Sequence, residues 1–383
     1  MFASSTHGYD TIDHFQIDPR LGDDADFDAF IAAAHARGLR IVLDGVFNHV
    51  GRDHPMFRRA VVGGPSASEA SWFRLTWPAN AEPGAEPDYA TFEGHKQLIA
   101  LNHDEPAVAD YVTRVMIHWL DRGADGWRLD AAYAVPKPFW AKVLPMVRAQ
   151  HPDAYILGEV IHGDYIGFVH DTGVDSVTQY ELWKAIWSSL NERNFFELAW
   201  ALHRQDDMLD TFVPQTFIGN HDVTRIASKL VDERHIAHAL VVLMTSGGTP
   251  SIYSGDEQAF RGIKESRAGG DDAIRPAFPA NPEELAPFGW PVYRLHQELI
   301  GLRRRHPWLH RARINPVELH NTDIVYEARH LDDRLWVVLN TADAAITRQI
   351  PAAVQRLAGE LSLRRAGEAT EIVLPPHGWG IVA

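Results

Sequence analysis

Four acidic residues each follow an apolar run that is typical of a β-strand. They are Asp44, Asp130, Glu159 and Asp222. Glu159 follows Asp130 by 29 residues and Asp222 follows Glu159 by 63, about one and two repeats of an eight-fold β/α barrel of roughly 250 residues. A single acid at a strand end is often a helix cap or a surface group, whereas four at this spacing predict carboxyl groups that share one rim.

Converging carboxyl groups in a chain without cysteine allow two kinds of chemistry, metal-assisted hydrolysis and glycoside cleavage by paired acids. Glycoside cleavage needs one carboxyl group that keeps its proton and one that is ionised. Arg128 lies two residues before Asp130, on the same face of a strand, and would keep that carboxyl ionised and nucleophilic. Glu159 has no such partner in its local sequence, and crowding by other acids suits it to the role of proton donor.

The elements that would position these residues alternate between helix and strand. The sequence predicts helices over 26–37, 107–122, 138–150, 231–240 and 292–305, and strands over 39–47, 126–130, 154–160, 212–219 and 241–245. In the first helix, the 3.6-residue period places Phe27, Phe30 and Ile31 on the buried face. Polar residues gather where the predicted strands end. This pattern predicts an α/β fold of the (β/α)8 TIM-barrel type.

Two stretches interrupt the alternation. Residues 51–101 have no βα period and are rich in glycine, proline and aromatic residues, which predicts a small inserted domain after the strand that carries Asp44. Residues 311–383 contain short alternating apolar runs, which predict a C-terminal antiparallel β-sandwich domain. The predicted catalytic barrel is therefore formed by 1–50 and 102–310.

Composition limits the classes of partner. The 383 residues carry a net charge of −15, which makes nucleic acid and anionic membranes unfavourable partners. No run approaches the ~18 apolar residues of a membrane span, and the first residues lack a secretory signal, so the chain is expected in the cytoplasm. The sequence leaves the oligomeric state open.

Four ordered blocks of the sequence resemble the signature motifs of the α-amylase family of glycoside hydrolases. They are DGVFNH at 44–49, GWRLDAA at 126–132, GEV at 158–160 and FIGNHD at 217–222. HGYD at 7–10 precedes them, and IYSGDE at 252–257 and GGDDAIRP at 269–276 resemble the late-barrel loop of the family. The resemblance covers nearly the whole chain.

The resemblance implies retaining cleavage of α-linked glucosides, α-1,4 and by extension α-1,6, in malto-oligosaccharides or α-glucans. Asp130 corresponds to the nucleophile, Glu159 to the acid/base, and Asp222 to a third catalytic acid that binds sugar hydroxyls. The implied substrate-binding residues are Tyr9, Asp10, His49, Arg128, His221 and Arg275. Among these, Tyr9 would stack under the sugar ring, and Arg128 would orient Asp130.

Several alternatives stay open at this point. The calcium position of the family corresponds to Asn48, but its partners in 51–101 are not identifiable, so we expect no required cofactor, with calcium as the alternative. A glucanotransferase would use the same residues, with a sugar hydroxyl in place of water. A catalytically silent barrel that serves as a binding subunit should have lost one of the three acids, and none is lost. A metal-dependent hydrolase is a further alternative.

The start of the chain departs from the family pattern. Family barrels place two strands and a helix before the segment that corresponds to residues 7–10, and here only nine residues lead to Tyr9. The first strand, the first helix and most of the second strand are therefore expected to be absent. We favour an internal methionine taken as the start over a true six-stranded remnant, because an open barrel would expose unpaired backbone amides.

Overall fold

The computed structural model of the protein describes residues 1–267 and 269–383. Two compact units divide the chain, Met1–Thr178 and Gln179–Ala383. None of the helices in the described ranges has the length and hydropathy that a transmembrane span requires.

The first unit mixes short strands with longer helices. Its strands are β1 (Phe2–Ala3), β2 (Thr11–Asp13), β3 (Val42–Gly45), β4 (His49–Gly51), β5 (Leu75–Thr76), β6 (Asp88–Tyr89), β7 (Leu98–Ala100), β8 (Gly126–Leu129), β9 (Tyr155–Gly158) and β10 (Ser176–Val177). Its helices are α1 (Asp24–His35), α2 (Pro55–Gly63), α3 (Pro106–Asp121), α4 (Lys137–Arg148) and α5 (Tyr165–Thr172).

A parallel sheet with the strand order β3-β8-β9-β10 positions the polar residues of this unit. Helices α3, α4 and α5 precede β8, β9 and β10, which is the alternation that parallel pairing requires. Gly126 begins β8 where a Cβ atom would lie 2.1 Å from the carbonyl oxygen of Tyr155 on β9. The glycine of the GWRLD motif therefore permits the close approach of the two strands.

Local signals define the helices of this unit. Asp23 caps α1 by accepting hydrogen bonds from the backbone N–H groups of Ala25 and Asp26, and the Asp26 side chain accepts a bond from the backbone N–H of Asp23. Helix α3 begins with Pro106 and buries a continuous apolar face that includes Trp119.

The predicted helices over 26–37, 107–122 and 138–150 are confirmed as α1, α3 and α4 within two residues at each end. The prediction that Phe30 faces the core is wrong, because its side chain is 54% exposed while Phe27 and Ile31 are buried. The predicted strand 39–47 shortens to Val42–Gly45 and is largely exposed, because β3 lies at an edge of its sheet and pairs with β8 alone in the described residues.

The second unit combines helices, a parallel strand pair and antiparallel sheets. Its helices are α6 (Tyr180–Glu192), α7 (Phe195–Met208), α8 (Ile226–Lys229), α9 (Ile236–Thr245) and α10 (Trp290–Arg305). Its strands are β11 (Gln215–Phe217), β12 (Thr249–Ser251), β13 (Arg313–Leu319), β14 (Asp323–His330), β15 (Asp333–Asn340), β16 (Ile346–Ile350), β17 (Arg356–Gly359), β18 (Ser362–Ala366), β19 (Ala369–Leu374) and β20 (Trp379–Val382).

Strands β11 and β12 pair in parallel, whereas the strands after residue 312 form two antiparallel sheets. The larger sheet has the order β13-β14-β15-β20-β17 and the smaller has the order β16-β19-β18. One apolar core joins α6, α7, α9 and α10 to the larger sheet, and a second core lies between the two sheets. The packing of apolar side chains thus continues from the helices of this unit into its β-strands.

The predicted helix over 292–305 is confirmed as α10, but the prediction of a strand over 241–245 is wrong. That run is the buried second half of α9, and the strand follows it as β12. A short, wholly apolar run is compatible with a buried helix as well as with a buried strand. Its hydrophobic periodicity therefore cannot distinguish the two. The division into a barrel, an insert at 51–101 and a β domain from 311 stays a prediction.

Candidate active site

One guanidinium group joins three carboxyl groups at the C-terminal ends of β3, β8 and β9. Arg128 Nη1 donates to Asp44 Oδ1 and to Asp130 Oδ1, at 2.8 Å in both cases. Arg128 Nη2 lies 2.9 Å from Glu159 Oε1. The side chains of Asp130 and Glu159 are 8% and 7% exposed, while that of Asp44 is 41% exposed. Two of the three acids are therefore held around one cation and largely out of water.

Strand pairing explains this convergence. Asp44 on β3 is the register partner of Arg128 on β8, and Leu129 is the partner of Gly158, so that Asp130 and Glu159 leave neighbouring strands side by side. Arg128 and Asp130 are two residues apart and share a face of the chain.

Ala131 follows Asp130 in the left-handed backbone region, with φ 45° and ψ 37°. Its N–H group donates to Glu159 Oε2 at 2.8 Å. Both oxygens of Glu159 therefore contact donors from β8 and the turn that follows it, and its position is fixed from that side.

The electrostatics of Asp130 differ from the expectation. Burial raises the pKa of Asp130 well above its usual range, and the charges of Asp44 and Glu159 add to this, while Arg128 lowers it. Sequence reasoning considered only the arginine and missed the desolvation. Burial would lower the pKa of Arg128, but the three carboxylates outweigh it and raise that pKa.

Tyr9 and His49 lie beside this cluster. The Tyr9 hydroxyl donates to Asp44 Oδ2 at 3.0 Å, and its ring centroid lies 6.0 Å from the guanidinium carbon of Arg128. His49 Nε2 lies 3.0 Å from the Tyr9 carbonyl oxygen, and its ring stacks on Phe92 with centroids 4.9 Å apart. Burial lowers the pKa of His49 to about 4, so its imidazole is neutral near pH 7.

Asp10 is buried among serine side chains. Its carboxylate accepts bonds from the Ser4 hydroxyl, from the Ser5 hydroxyl at 2.6 Å and from the Ser5 N–H at 3.1 Å. Burial alone would raise the pKa of Asp10, but these hydrogen bonds outweigh it and lower the pKa. Both oxygens are thus engaged within the chain, and the sugar contact expected of Asp10 stays a prediction.

Asn48, the residue that corresponds to the calcium position, hydrogen-bonds to its surroundings. Its side-chain nitrogen lies 3.2 Å from His49 Nδ1, and its backbone carbonyl accepts a bond from Leu101. The contact with His49 uses the amide nitrogen and not the side-chain oxygen through which Asn48 would bind calcium, so the expectation of no required cofactor stays a prediction.

A second cluster of predicted site residues lies in the second unit, after β11. His221 Nε2 lies 3.0 Å from Asp222 Oδ2, and Arg275 donates to Asp222 Oδ1 and to the His221 carbonyl, at 2.9 Å in both cases. Lys264 and Asp271, which sequence reasoning did not select, complete the cluster. Burial raises the pKa of Asp222, but the bond from His221 and the nearby cations reverse this and hold it well below its usual range. Asp222 is therefore ionised.

A buried ion pair supports the loops around this second cluster. Arg225 donates to Asp256 Oδ1 at 2.9 Å and to the carbonyls of Ser254 and Ile274. The neighbouring motif glycine, Gly219, lies where a Cβ atom would be 2.2 Å from Asp256 Oδ2. The glycine of the FIGNHD motif thus leaves room for a buried carboxylate, a function that its sequence context alone does not reveal.

A sequence model described as "Alpha amylase, catalytic domain" matches residues 1–312. The chain belongs to the alpha-amylase family. The resemblance in the signature motifs is thereby confirmed. The solved structures of this family that the chain resembles have a (β/α)8 barrel and a C-terminal β domain, which confirms the expected fold class at that level.

Individual members of the alpha-amylase family are similar over most of the chain. The chain is 29% identical to a cyclomaltodextrinase of Geobacillus thermopakistaniensis (strain MAS1) in an alignment of 400 residues. This alignment covers 100% of this chain and 65% of that protein. It is 32% identical to a maltogenic alpha-amylase of Bacillus acidopullulyticus in an alignment of 316 residues. This alignment covers 80% of this chain and 52% of that protein. The chain thus spans about half to two thirds of the length of these relatives.

The native debranching enzyme of Nostoc punctiforme superposes with a TM-score of 0.86 at 25% identity, over 100% of this chain and 84% of that structure. The similarity between the two structures therefore extends over the whole of this chain.

Proposed function

We propose that this protein is a retaining glycoside hydrolase that cleaves α-1,4 bonds, and by extension α-1,6 bonds, in malto-oligosaccharides or α-glucans. The observation that carries the proposal is the Arg128 guanidinium shared by Asp130 and Glu159 at the ends of neighbouring strands. The membership in the alpha-amylase family supports it, as do the relatives named cyclomaltodextrinase and maltogenic alpha-amylase.

In the first step, an oxygen of Asp130 attacks the sugar C1, and Glu159 gives its proton to the departing glycosidic oxygen. We assign the attack to Oδ2, because Arg128 binds Oδ1. In the second step, Glu159 takes a proton from water, and the resulting hydroxide oxygen displaces Asp130 from C1. Two inversions at C1 retain the α configuration, and Glu159 recovers its proton.

The surroundings of the pair act on the two roles in different ways. Asp130 has to be ionised to attack, and the cation of Arg128 opposes the burial that favours its protonated form. The Ala131 N–H group and Arg128 hold the carboxyl of Glu159 in place. Because the two acids interact, the pH–rate profile reports apparent pKa values of the pair. We expect activity to fall at low pH as Asp130 becomes protonated.

We further infer that hydrolysis requires no bound metal, because paired carboxyl groups supply both the nucleophile and the proton. Chelation with EDTA should then leave the turnover number unchanged below the unfolding temperature. A loss of turnover that calcium restores would contradict this inference.

The decisive experiment compares the protein with its Asp130→Asn and Glu159→Gln variants on maltoheptaose, with the anomeric form of the first products followed by NMR. Removal of the nucleophile should lower kcat by about 10⁴-fold or more. Asp121→Asn is the matched control, since Asp121 pairs with His151 outside the cluster.

Glu159→Gln should keep the first chemical step on α-glucosyl fluoride, whose leaving group needs no proton. First products in the β-anomeric form would refute retention, and full turnover by Asp130→Asn would refute the assigned nucleophile. Products longer than maltoheptaose would identify the glucanotransferase. No turnover by the unaltered protein on maltoheptaose would contradict the proposed hydrolysis and favour the silent binding subunit.

A further inference from the structure

Two histidines and an aspartate of the second unit converge at a place that the proposed hydrolysis does not use. Asp232 and His235 belong to the turn before α9, and His377 lies between β19 and β20. His235 Nε2 lies 3.0 Å from His377 Nδ1, and His377 Nδ1 lies 3.8 Å from Asp232 Oδ2. One ligand atom from each of the three residues lies within 4.8 Å of the other two.

We propose that Asp232, His235 and His377 bind a divalent transition-metal ion of the zinc class. Ligand atoms within 4.8 Å of one another can be brought to Zn–N and Zn–O bonds of about 2.0–2.2 Å by side-chain rotation. Two imidazoles and one carboxylate suit zinc, cobalt or nickel, whereas calcium prefers oxygen ligands alone.

The orientation of His377 supports metal binding. Its Nε2 lies 2.9 Å from Asp343 Oδ1, so that its Nδ1 faces Asp232 and His235. Metal-binding histidines nearly always donate their second ring N–H to a carboxylate or carbonyl, which fixes the ring and its tautomer. Asp343 occupies that place here.

The hydrogen bond between the two histidines would give way to a metal. Because the His377 Nε2–H donates to Asp343, His377 Nδ1 accepts from His235 Nε2–H when no metal is bound. Metal binding therefore requires that the His235 proton move from Nε2 to Nδ1.

Asp232 would give the ion access to the site and supply a negative charge. Its side chain is 25% exposed, whereas that of His377 is 6% exposed, so an ion enters from the carboxylate side and keeps a water ligand there. Asp232 Oδ2 accepts from Arg234 Nε at 3.0 Å and from Arg234 Nη2 at 2.6 Å, so a metal would take the place of one of these two donors. A bound ion would fasten the turn before α9 to the segment that leads into β20.

The test titrates the EDTA-treated protein with Co²⁺, followed by its visible absorption, and with Zn²⁺, followed by calorimetry and thermal unfolding. We expect one ion per chain and a higher Tm with Zn²⁺. His377→Gln should abolish the cobalt band. Asp343→Asn alters a residue whose side chain is 76% exposed and should weaken the affinity about 10–100-fold.

His151→Gln is the control, since His151 lies 2.9 Å from the carboxylate of Asp121 and should leave the affinity unchanged. The absence of a one-to-one complex in excess metal would overturn the proposal, as would a complex that Asp343→Asn leaves at full affinity. If His377→Gln does not fold, Asp343→Asn decides the question. Since the readouts are metal affinity and Tm, the result is independent of hydrolytic activity.

Discussion

Replacement of Arg128 by methionine tests the role of the shared guanidinium directly. Methionine fills much of the same volume as arginine. The substitution therefore removes mainly the positive charge and its hydrogen bonds. The variant leaves the buried side chains of Asp130 and Glu159 without the cation that contacts both of them.

Removal of one partner from a buried ion pair costs about 3–5 kcal/mol, because the remaining charge is left desolvated and uncompensated. In a unit of 178 residues, this corresponds to a fall in Tm of roughly 6–20 °C. The control is Arg58→Met, since Arg58 and its partner Asp53 are 65% and 52% exposed. An exposed pair of this kind contributes about 0.2–1 kcal/mol.

The sign of the pH dependence follows from Asp130. Its pKa in the folded protein is raised above the unfolded value, so the folded state binds more protons and loses stability as the pH rises through this range. Without Arg128 the pKa rises further. The free-energy cost of Arg128→Met should therefore be larger at pH 8 than at pH 5.

The assay is urea unfolding at both pH values, followed by circular dichroism, for the unaltered protein and both variants. A cost no larger than that of Arg58→Met at pH 8 would refute the idea that the guanidinium compensates buried charge. An equal cost at pH 5 and pH 8 would show that lost packing, rather than charge, explains the destabilisation.

Three further predictions concern other sites. Gly219→Ala should lower the free energy of unfolding by about 1–3 kcal/mol, because the new methyl group meets the Asp256 carboxylate; urea unfolding measures this, and an unchanged midpoint would contradict it. The pKa of His49 is lowered to about 4 by burial, so NMR should detect no protonation of its ring between pH 5 and 8, and titration near pH 6.5 would contradict the buried environment. Burial raises the pKa of Asp206 to about 7, so its ionisation destabilises the folded protein increasingly as the pH rises from 4 to 7. Asp206→Asn still accepts from the Ile314 N–H, and its stability relative to the unaltered protein should increase over that range and stay constant above pH 7. A difference between the two unfolding midpoints that does not change with pH would refute this.

Helices and strand ends were predictable wherever several local signals agreed. Helix α3 has a proline at its start, a long apolar face and a glycine just after its end, and its prediction was accurate within a residue. The pairing of Asp130 with Glu159 followed from the rule that consecutive parallel strands are usually neighbours.

The features that the sequence could not predict depend on which neighbour a residue meets. Phe30 fits the apolar period of α1 yet faces solvent. The period identifies an apolar face of the helix, but it does not show which part of that face is covered by other elements. Likewise, the pKa of Asp130 depends on desolvation by the whole fold, which two adjacent residues do not reveal. Lys264 was missed because it reaches Asp222 from a segment 42 residues away.

The backbone at Ala131 has a consequence for attempts to make this protein more thermostable. A non-glycine residue in the left-handed region costs about 1–3 kcal/mol, so a design method that rewards relaxed geometry would select glycine there. The same strained turn aims the amide that steers Glu159. Relief of the strain would give the amide more freedom, so a variant chosen for heat resistance would hold Glu159, the proposed proton donor, less rigidly.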